Sequence, residues 1–190
     1  AVESYMFPEA AAELGLGWDR MIIHWYQRQP DHLRQWVINQ DEKLWVKQAS
    51  ESGREMVALL MGAPHWATDG LPGRGVPHGL YLPLNHPGNH WARFVRRVVA
   101  EYQGQIKHWV IWNEPDIASD HPGAQFDGSV HDYYQLLKVA YLAAKSVDPD
   151  AVIHMAALTF WHDVVYGREP YILRLIKVAD TDRSAARYKH

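Results

Sequence analysis

The sequence predicts an α/β fold built on parallel strands, and three observations carry that expectation. Apolar residues recur at helical spacing in several segments, and a short apolar run of β character stands beside each of them, so strand and helix alternate along the chain. The runs at 20–25, 56–61, 108–112 and 151–157 are nearly continuous in apolar residues, as expected of parallel strands covered on both faces. Connections from helix back to strand are short, at 103–107 and 148–150, whereas those leaving strands are long, at 63–90, 115–130 and 158–169. One face is therefore elaborated. In barrels and open α/β sheets alike, chemistry sits at the carboxyl ends of the strands, and Glu114, His65, Trp66, Trp161 and His162 all fall there.

Taken in order, a helix over 8–14 carries Pro8 in its first turn, and the strand 20–25 follows. A helix over 41–52 leads into the strand 56–61. The clearest helix begins after Asn89, a ready N-cap. It sets Trp91, Phe94, Val95, Val98, Val99 and Tyr102 on one face before Gly104 stops it. After the strand 108–112, a second clear helix carries Tyr133, Leu136, Leu137, Ala140, Tyr141, Ala144 and Val147, and Pro149 ends it. The strand 151–157 precedes a last helix bearing Ile172, Leu175, Ile176 and Ala179. No internal repeat, low-complexity tract or linker interrupts the series.

With 190 residues the chain can bury one sizeable core and reads as a single domain, 1–190. A net charge of -3, from 19 basic and 22 acidic residues scattered evenly, provides no electrostatic footprint for nucleic acid. No apolar stretch approaches the roughly 20 residues of a membrane span. Ala1 opens without a basic region or signal-like core, as a trimmed or processed chain would, which leaves localisation open and secretion compatible. Without cysteine there is neither a disulfide framework nor a thiolate metal site.

Nine Trp and 12 His are the compositional oddities. Most tryptophans in a chain of this kind belong to the core, although flat aromatic faces also suit sugar rings. The histidines show no His-Glu-x-x-His and no His-x-His spacing and scatter across loops, so no metal site is expected. The Gly-rich stretch 70–75 opens no helix with a phosphate-binding pattern, and no Gly-x-Ser-x-Gly elbow occurs. No cofactor is implied.

The segment Lys107-His108-Trp109-Val110-Ile111-Trp112 runs into Asn113-Glu114-Pro115 and so delivers a carboxyl group where a strand ends. By itself the tripeptide is an ordinary strand-to-loop turn, since Asn and Pro are turn residues. The strand behind it and the tryptophan before it favour a chemical reading, in which Glu114 exchanges protons with a bound substrate.

Trp112-Asn113-Glu114-Pro115 resembles the acid/base motif of the clan A glycoside hydrolases, (β/α)8-barrel enzymes that cleave sugar-sugar bonds with two glutamates. The resemblance extends over most of the chain. The segment from Leu14 through Arg20 to His24 and Trp25 is similar to the second barrel strand, that from Met61 to Ala67 to the end of the third, Trp109 to Asp116 to the fourth, and Lys145 to Ile153 to the approach to the fifth. The nearest flavour is the branch that includes β-xylosidases and α-L-iduronidases. The resemblance implies a carbohydrate substrate and retaining hydrolysis, in which one carboxyl protonates the leaving oxygen and a second, about 5 to 5.5 Å away, attacks the anomeric carbon. Glu114 matches the first, Asn113 the residue that holds the sugar 2-hydroxyl, and Arg20 the residue that keeps the nucleophile ionised. His24, Trp25, His65, Trp66 and Trp161 are the expected cleft residues.

A complete barrel usually takes about 250 residues and seldom fewer than about 200. The resemblance accounts for strands two to five and about five β/α units, so a partial barrel is expected, lacking strand one and strands six to eight. The family nucleophile, a glutamate ending strand seven, has no counterpart, and Asp116, Asp163 and Glu169 sit in no matching motif. Such an arc exposes its edge strands to a complementing chain or to self-association. A non-catalytic carbohydrate-binding or assembly module is the competing expectation.

Overall fold

The computed structural model of the chain describes residues 7–184. Among them, four strands form one parallel sheet in chain order: β1 (Trp18–His24), β2 (Glu55–Met61), β3 (His108–Ile111) and β4 (Val152–Met155). Arg20 lies opposite Val57, Val57 opposite His108, and His108 opposite Val152. Spatial order equal to chain order, with helices between successive strands, is the arrangement of a barrel arc; a doubly wound sheet would reverse its strand order at a switch point.

Helix α1 (Pro8–Glu13) precedes β1. Helices α2 (Trp25–Arg28) and α3 (Gln40–Glu51) lead to β2, α4 (His90–Glu101) to β3 and α5 (Val130–Lys145) to β4, while α6 (Trp161–Val165) and α7 (Tyr171–Thr181) follow β4. The three longest connecting helices start on side-chain caps. Asn39 accepts from the Asp41 and Glu42 amides, Asn89 from Ala92, and Ser129 forms a reciprocal capping box with Asp132. Each cap satisfies amides that have no partner within the helix, and replacing one by Ala typically costs about 0.5–2 kcal/mol.

Alternation along the strands gives the sheet two unlike faces. Asp19, Met21 and Ile23 of β1, Met56, Ala58 and Leu60 of β2, and Trp109 and Ile111 of β3 are buried on the helix-covered side. Trp18, Arg20, Ile22 and His24, together with Val57, His108, Val110 and His154, alternate with them and remain partly accessible on the other side, which in a closed barrel faces the interior. The core is unusually aromatic: Trp25 stacks on Phe94 at 5.1 Å and meets Trp91 at 5.6 Å, so α2 and α4 are fastened by rings. Burying a side chain of this kind stabilises by roughly 1.5–3 kcal/mol.

Two boundaries differ from the sequence expectation for local reasons. Trp25, expected to end the first strand, instead opens α2: the Tyr26 amide turns to the Gly62 carbonyl, and the Trp25 indole donates to Gln29 one helical turn on. The last strand closes at Met155, because the Ala156 amide bonds the Tyr133 hydroxyl and the Ala157 carbonyl accepts from Glu114 instead of from a neighbouring strand.

Arg28, the last residue of α2, is buried between α3 and α4, where its guanidinium meets Glu42 at 2.5 Å, the Tyr102 hydroxyl at 2.8 Å, Glu101 at 3.4 Å and the Val37 carbonyl at 3.0 Å. Burial raises the Glu42 carboxyl above its ordinary range, against the pull of Arg28 and its hydrogen bonds. Removing one partner of such a group leaves uncompensated buried charge. Arg28→Met is therefore expected to lower the unfolding free energy by about 3–5 kcal/mol in urea titrations, and the double change Arg28→Met with Glu42→Leu to recover most of that loss.

Candidate active site at the end of β3

Past Ile111 the chain turns across the rim of the sheet in a conformation that two residues pay for. Trp112 has φ 68° and Glu114 φ 45°, both left-handed and neither a glycine. Such residues cost on the order of 1–3 kcal/mol each and persist where their surroundings over-determine them. Here the surroundings are specific. The Trp112 amide donates to the Leu60 carbonyl at 2.8 Å, its indole donates to the Gln125 carbonyl at 2.7 Å, and its ring packs edge-on against Trp91 and Phe126. The Glu114 amide donates to Ala157 at 3.2 Å. The turn is thus tied to the end of β2 on one side and to the rim beyond β4 on the other, and it leaves the side chains of Asn113 and Glu114 half-buried.

Gln125 joins those two side chains. Its Nε2 donates to Glu114 Oε2 at 2.7 Å, and its Oε1 accepts from Asn113 Nδ2 at 3.1 Å. The loop that carries it is fastened from outside by Arg74, whose Nε donates to Asp127 at 3.0 Å, whose Nη2 donates to the Ser119 carbonyl at 2.9 Å, and whose own carbonyl accepts from the Asp127 amide. Ala124 and Phe126, on either side of Gln125, are buried.

The expected site residues divide into three groups. Arg20 and Asn113 line one open concavity of about 570 Å³, shared with Trp18, Leu59, Val110 and His154. His24, at the end of β1, stacks on Tyr26 at 4.8 Å and lines an adjoining hollow of about 350 Å³ with Met61, Arg74 and Gln125. Gln125 thus belongs to the wall of one hollow and bonds the Asn113 of the other. The remaining expected residues lie elsewhere. Trp25 is fully buried in the aromatic core, with no ring face open to a ligand. Trp66 donates its indole N–H to the Gln29 carbonyl and leans edge-on against Trp25, while His65 beside it is exposed. Trp161 opens α6 and meets His121 and His162, lining neither hollow.

The other carboxylates on this rim are already engaged. Asp116 accepts from the Thr159 amide and hydroxyl, Asp163 from the Tyr171 amide and Arg174, and Glu169 pairs with Lys177. Among the described residues no three His, Cys, Asp or Glu side chains gather to hold a metal ion, and no helix is long and apolar enough to cross a membrane. Tyr26, Arg74 and Gln125 were not foreseen from the sequence, because they come from loops and from a four-residue helix that carry no periodic or motif signal.

Comparison with solved structures places the fold. The chain superposes on a family 39 glycoside hydrolase from the gut symbiont Bacteroides cellulosilyticus WH2 with a TM-score of 0.60 and 19% identity, over 80% of this chain and 28% of that one. It matches a glucosidase from Croceicoccus marinus with a TM-score of 0.64 and 13% identity, over 90% of this chain and 36% of that one. An endoglucanase from Pseudomonas stutzeri follows at 0.55 and 17%, over 78% and 41%. The chain therefore has the parallel α/β fold of part of the barrels in these structures, and it spans about a third of their length. No family model and no curated protein matches the sequence.

Burial holds His24, His90 and His154 below their ordinary value of 6.5, helped at His90 by Arg93 and His78 and at His154 by the neighbouring His108. The sign follows from linkage. Below pH 6.5 the unfolded chain takes up protons at these positions that the folded chain does not, so folded-state stability falls as pH drops from 6.5 toward the depressed values. Urea titrations at pH 7.5 and 5.5, chosen at about one unit to either side of the unperturbed histidine value, are expected to show lower stability at the acid end. His24→Gln should reduce that difference.

Proposed function

We propose that the chain is the acid/base-bearing part of a retaining glycoside hydrolase. The observation that carries this is the position of Glu114: a half-buried carboxyl at the carboxyl end of β3, on a strained and tightly tied turn, hydrogen-bonded to Gln125 in the wall of the hollow that His24 lines and next in sequence to Asn113, which lines the other hollow with Arg20. The likeness to glycosidase barrels supports the same reading. The finer placement, in the branch of β-xylosidases and α-L-iduronidases, rests on the sequence segments alone.

In this mechanism Glu114 gives its proton to the glycosidic oxygen as the C–O bond breaks, then takes a proton from the water that releases the sugar. Asn113 holds the 2-hydroxyl, an interaction that strengthens as positive charge develops on the ring. Arg20 keeps the attacking carboxylate ionised. That carboxylate must lie about 5 to 5.5 Å from Glu114. Asp116, Asp163 and Glu169 are committed to their own partners, so it is expected from strands outside this arc, and the edges of β1 and β4 are where those strands, or a complementing chain, would join.

The test is Glu114→Gln in the protein with its nucleophile-bearing strands present. It is expected to cut turnover of glycosides with poor leaving groups by about 10²- to 10⁴-fold while sugar binding is kept, and unchanged turnover refutes the assignment. If the protein with its nucleophile-bearing strands present binds sugars and never hydrolyses them on prolonged incubation, the carbohydrate-binding module is the correct description instead.

A further inference from the structure

We propose that Gln125 is a positioning residue that decides which oxygen of Glu114 carries the catalytic proton. The inference rests on the acid/base reading of Glu114 and adds to it a residue outside the Asn-Glu-Pro motif.

The argument is one of donors and acceptors. A primary amide has one acceptor end and one donor end, whereas an ionised carboxylate only accepts. An ionised Glu114 takes the amino end of Gln125, whose Nε2 donates to Glu114 Oε2 at 2.7 Å, and the acceptor end, Oε1, then takes the hydrogen bond from Asn113 Nδ2 at 3.1 Å. Glu114 Oε2 therefore receives a hydrogen bond whether or not the carboxyl is protonated. A proton placed between Oε2 and Gln125 would require the Gln125 and Asn113 amides both to turn over, so the acidic proton resides on Oε1. From there it passes to the leaving oxygen, which keeps the electron pair of the breaking C–O bond while a carboxylate nucleophile bonds the anomeric carbon. The same chain of bonds turns the carbonyl oxygen of Asn113 away from Gln125, as an acceptor for a substrate hydroxyl.

The clamp is held in place by its neighbours. The Gln125 carbonyl takes the Trp112 indole N–H, Phe126 anchors the loop between Trp112 and Tyr133, and Arg74 clasps Asp127 and Ser119. Gln125 also lines the hollow beside His24, so its amide stands at the wall of the cleft as well as behind the acid. A residue that only filled space would not need polar partners at both ends.

The decisive experiment needs no turnover. In ¹⁵N–¹H spectra of the full chain, the Gln125 side-chain amide pair, identified by its loss in Gln125→Leu, is expected to move with pH along a single-proton curve and to stop doing so in Glu114→Gln. A pair that does not move with pH, or moves equally in Glu114→Gln, overturns the proposal. In turnover by the protein with its nucleophile-bearing strands present, Gln125→Leu is expected to lower kcat/KM about 10- to 100-fold for poor leaving groups, whose departure depends on the acid, and less than about 3-fold for activated aryl glycosides, whose departure does not. Equal losses on both overturn the positioning role, and Gln125→Glu, which keeps the shape but not the donor, guards against a packing artefact by showing the same split. Failure of the acid/base reading looks different: Glu114→Gln then turns over poor leaving groups normally, whatever the Gln125 amide does.

Discussion

The burial of Trp112 is the constraint on which the rim of this sheet depends. Its ring occupies the junction of α4, the loop that follows β3 and the top of the aromatic core, and its two N–H groups are both satisfied, one by β2 and one by the loop bearing Gln125. With the indole in that site the backbone at position 112 is left-handed, and the chain then returns through a second left-handed residue at Glu114. The two strained positions thus flank Asn113 in one tied turn. The core around Trp112 holds the backbone of Asn113 and Glu114 in place before any ligand arrives, which is what a proton donor needs if it is to be oriented without reorganisation.

The two faces of the sheet are built on different terms. The helix side is closed by Trp25, Trp91, Phe94 and Trp109, all fully buried, and by the Arg28 cluster, where a guanidinium is surrounded by two carboxylates, a phenol and a carbonyl. The other side holds Trp18, Arg20, His108 and His154 in an open concavity. His108 and His154 meet at 2.9 Å and stack, and Trp18 packs edge-on against His108, so polar and aromatic groups share a surface that in a barrel lies inside. Parallel sheets are stable when both faces are covered. The exposed face and the open edges of β1 and β4 belong to the same geometric fact, that four strands make an arc.

How much of this was legible in the sequence depended on whether the signal was local. The β2 and β3 strands could be read because their apolar runs are continuous, and α4 because Asn89 caps it and its apolar residues repeat at helical spacing. The place of Glu114 at the end of a strand could be read because a strand followed by Asn-Glu-Pro is a contiguous pattern. Trp25 shows where such reading fails: the resemblance places it in the cleft, yet one hydrogen bond from the Tyr26 amide to the Gly62 carbonyl turns the chain into α2, and the indole lies in the core. Gly62 permits this approach, since at φ 84° a side chain there would come within 2.8 Å of the Tyr26 ring.

By itself, then, the sequence determined the alternation of strand and helix, the parallel sheet, the elaborated carboxyl-end face and the placement of one carboxyl group upon it, because all of these follow from period, capping and loop length along a continuous stretch of chain. Only the tertiary structure decided that Gln125 stands between Asn113 and Glu114, that Arg28 lies at the centre of a buried ion cluster, and that Trp25 belongs to the core and not to the cleft. Those relations join residues from different loops and helices, eleven positions apart from Gln125 to Glu114 and seventy-four from Arg28 to Tyr102. Hydrogen-bond complementarity across such separations leaves no periodic trace in a single sequence.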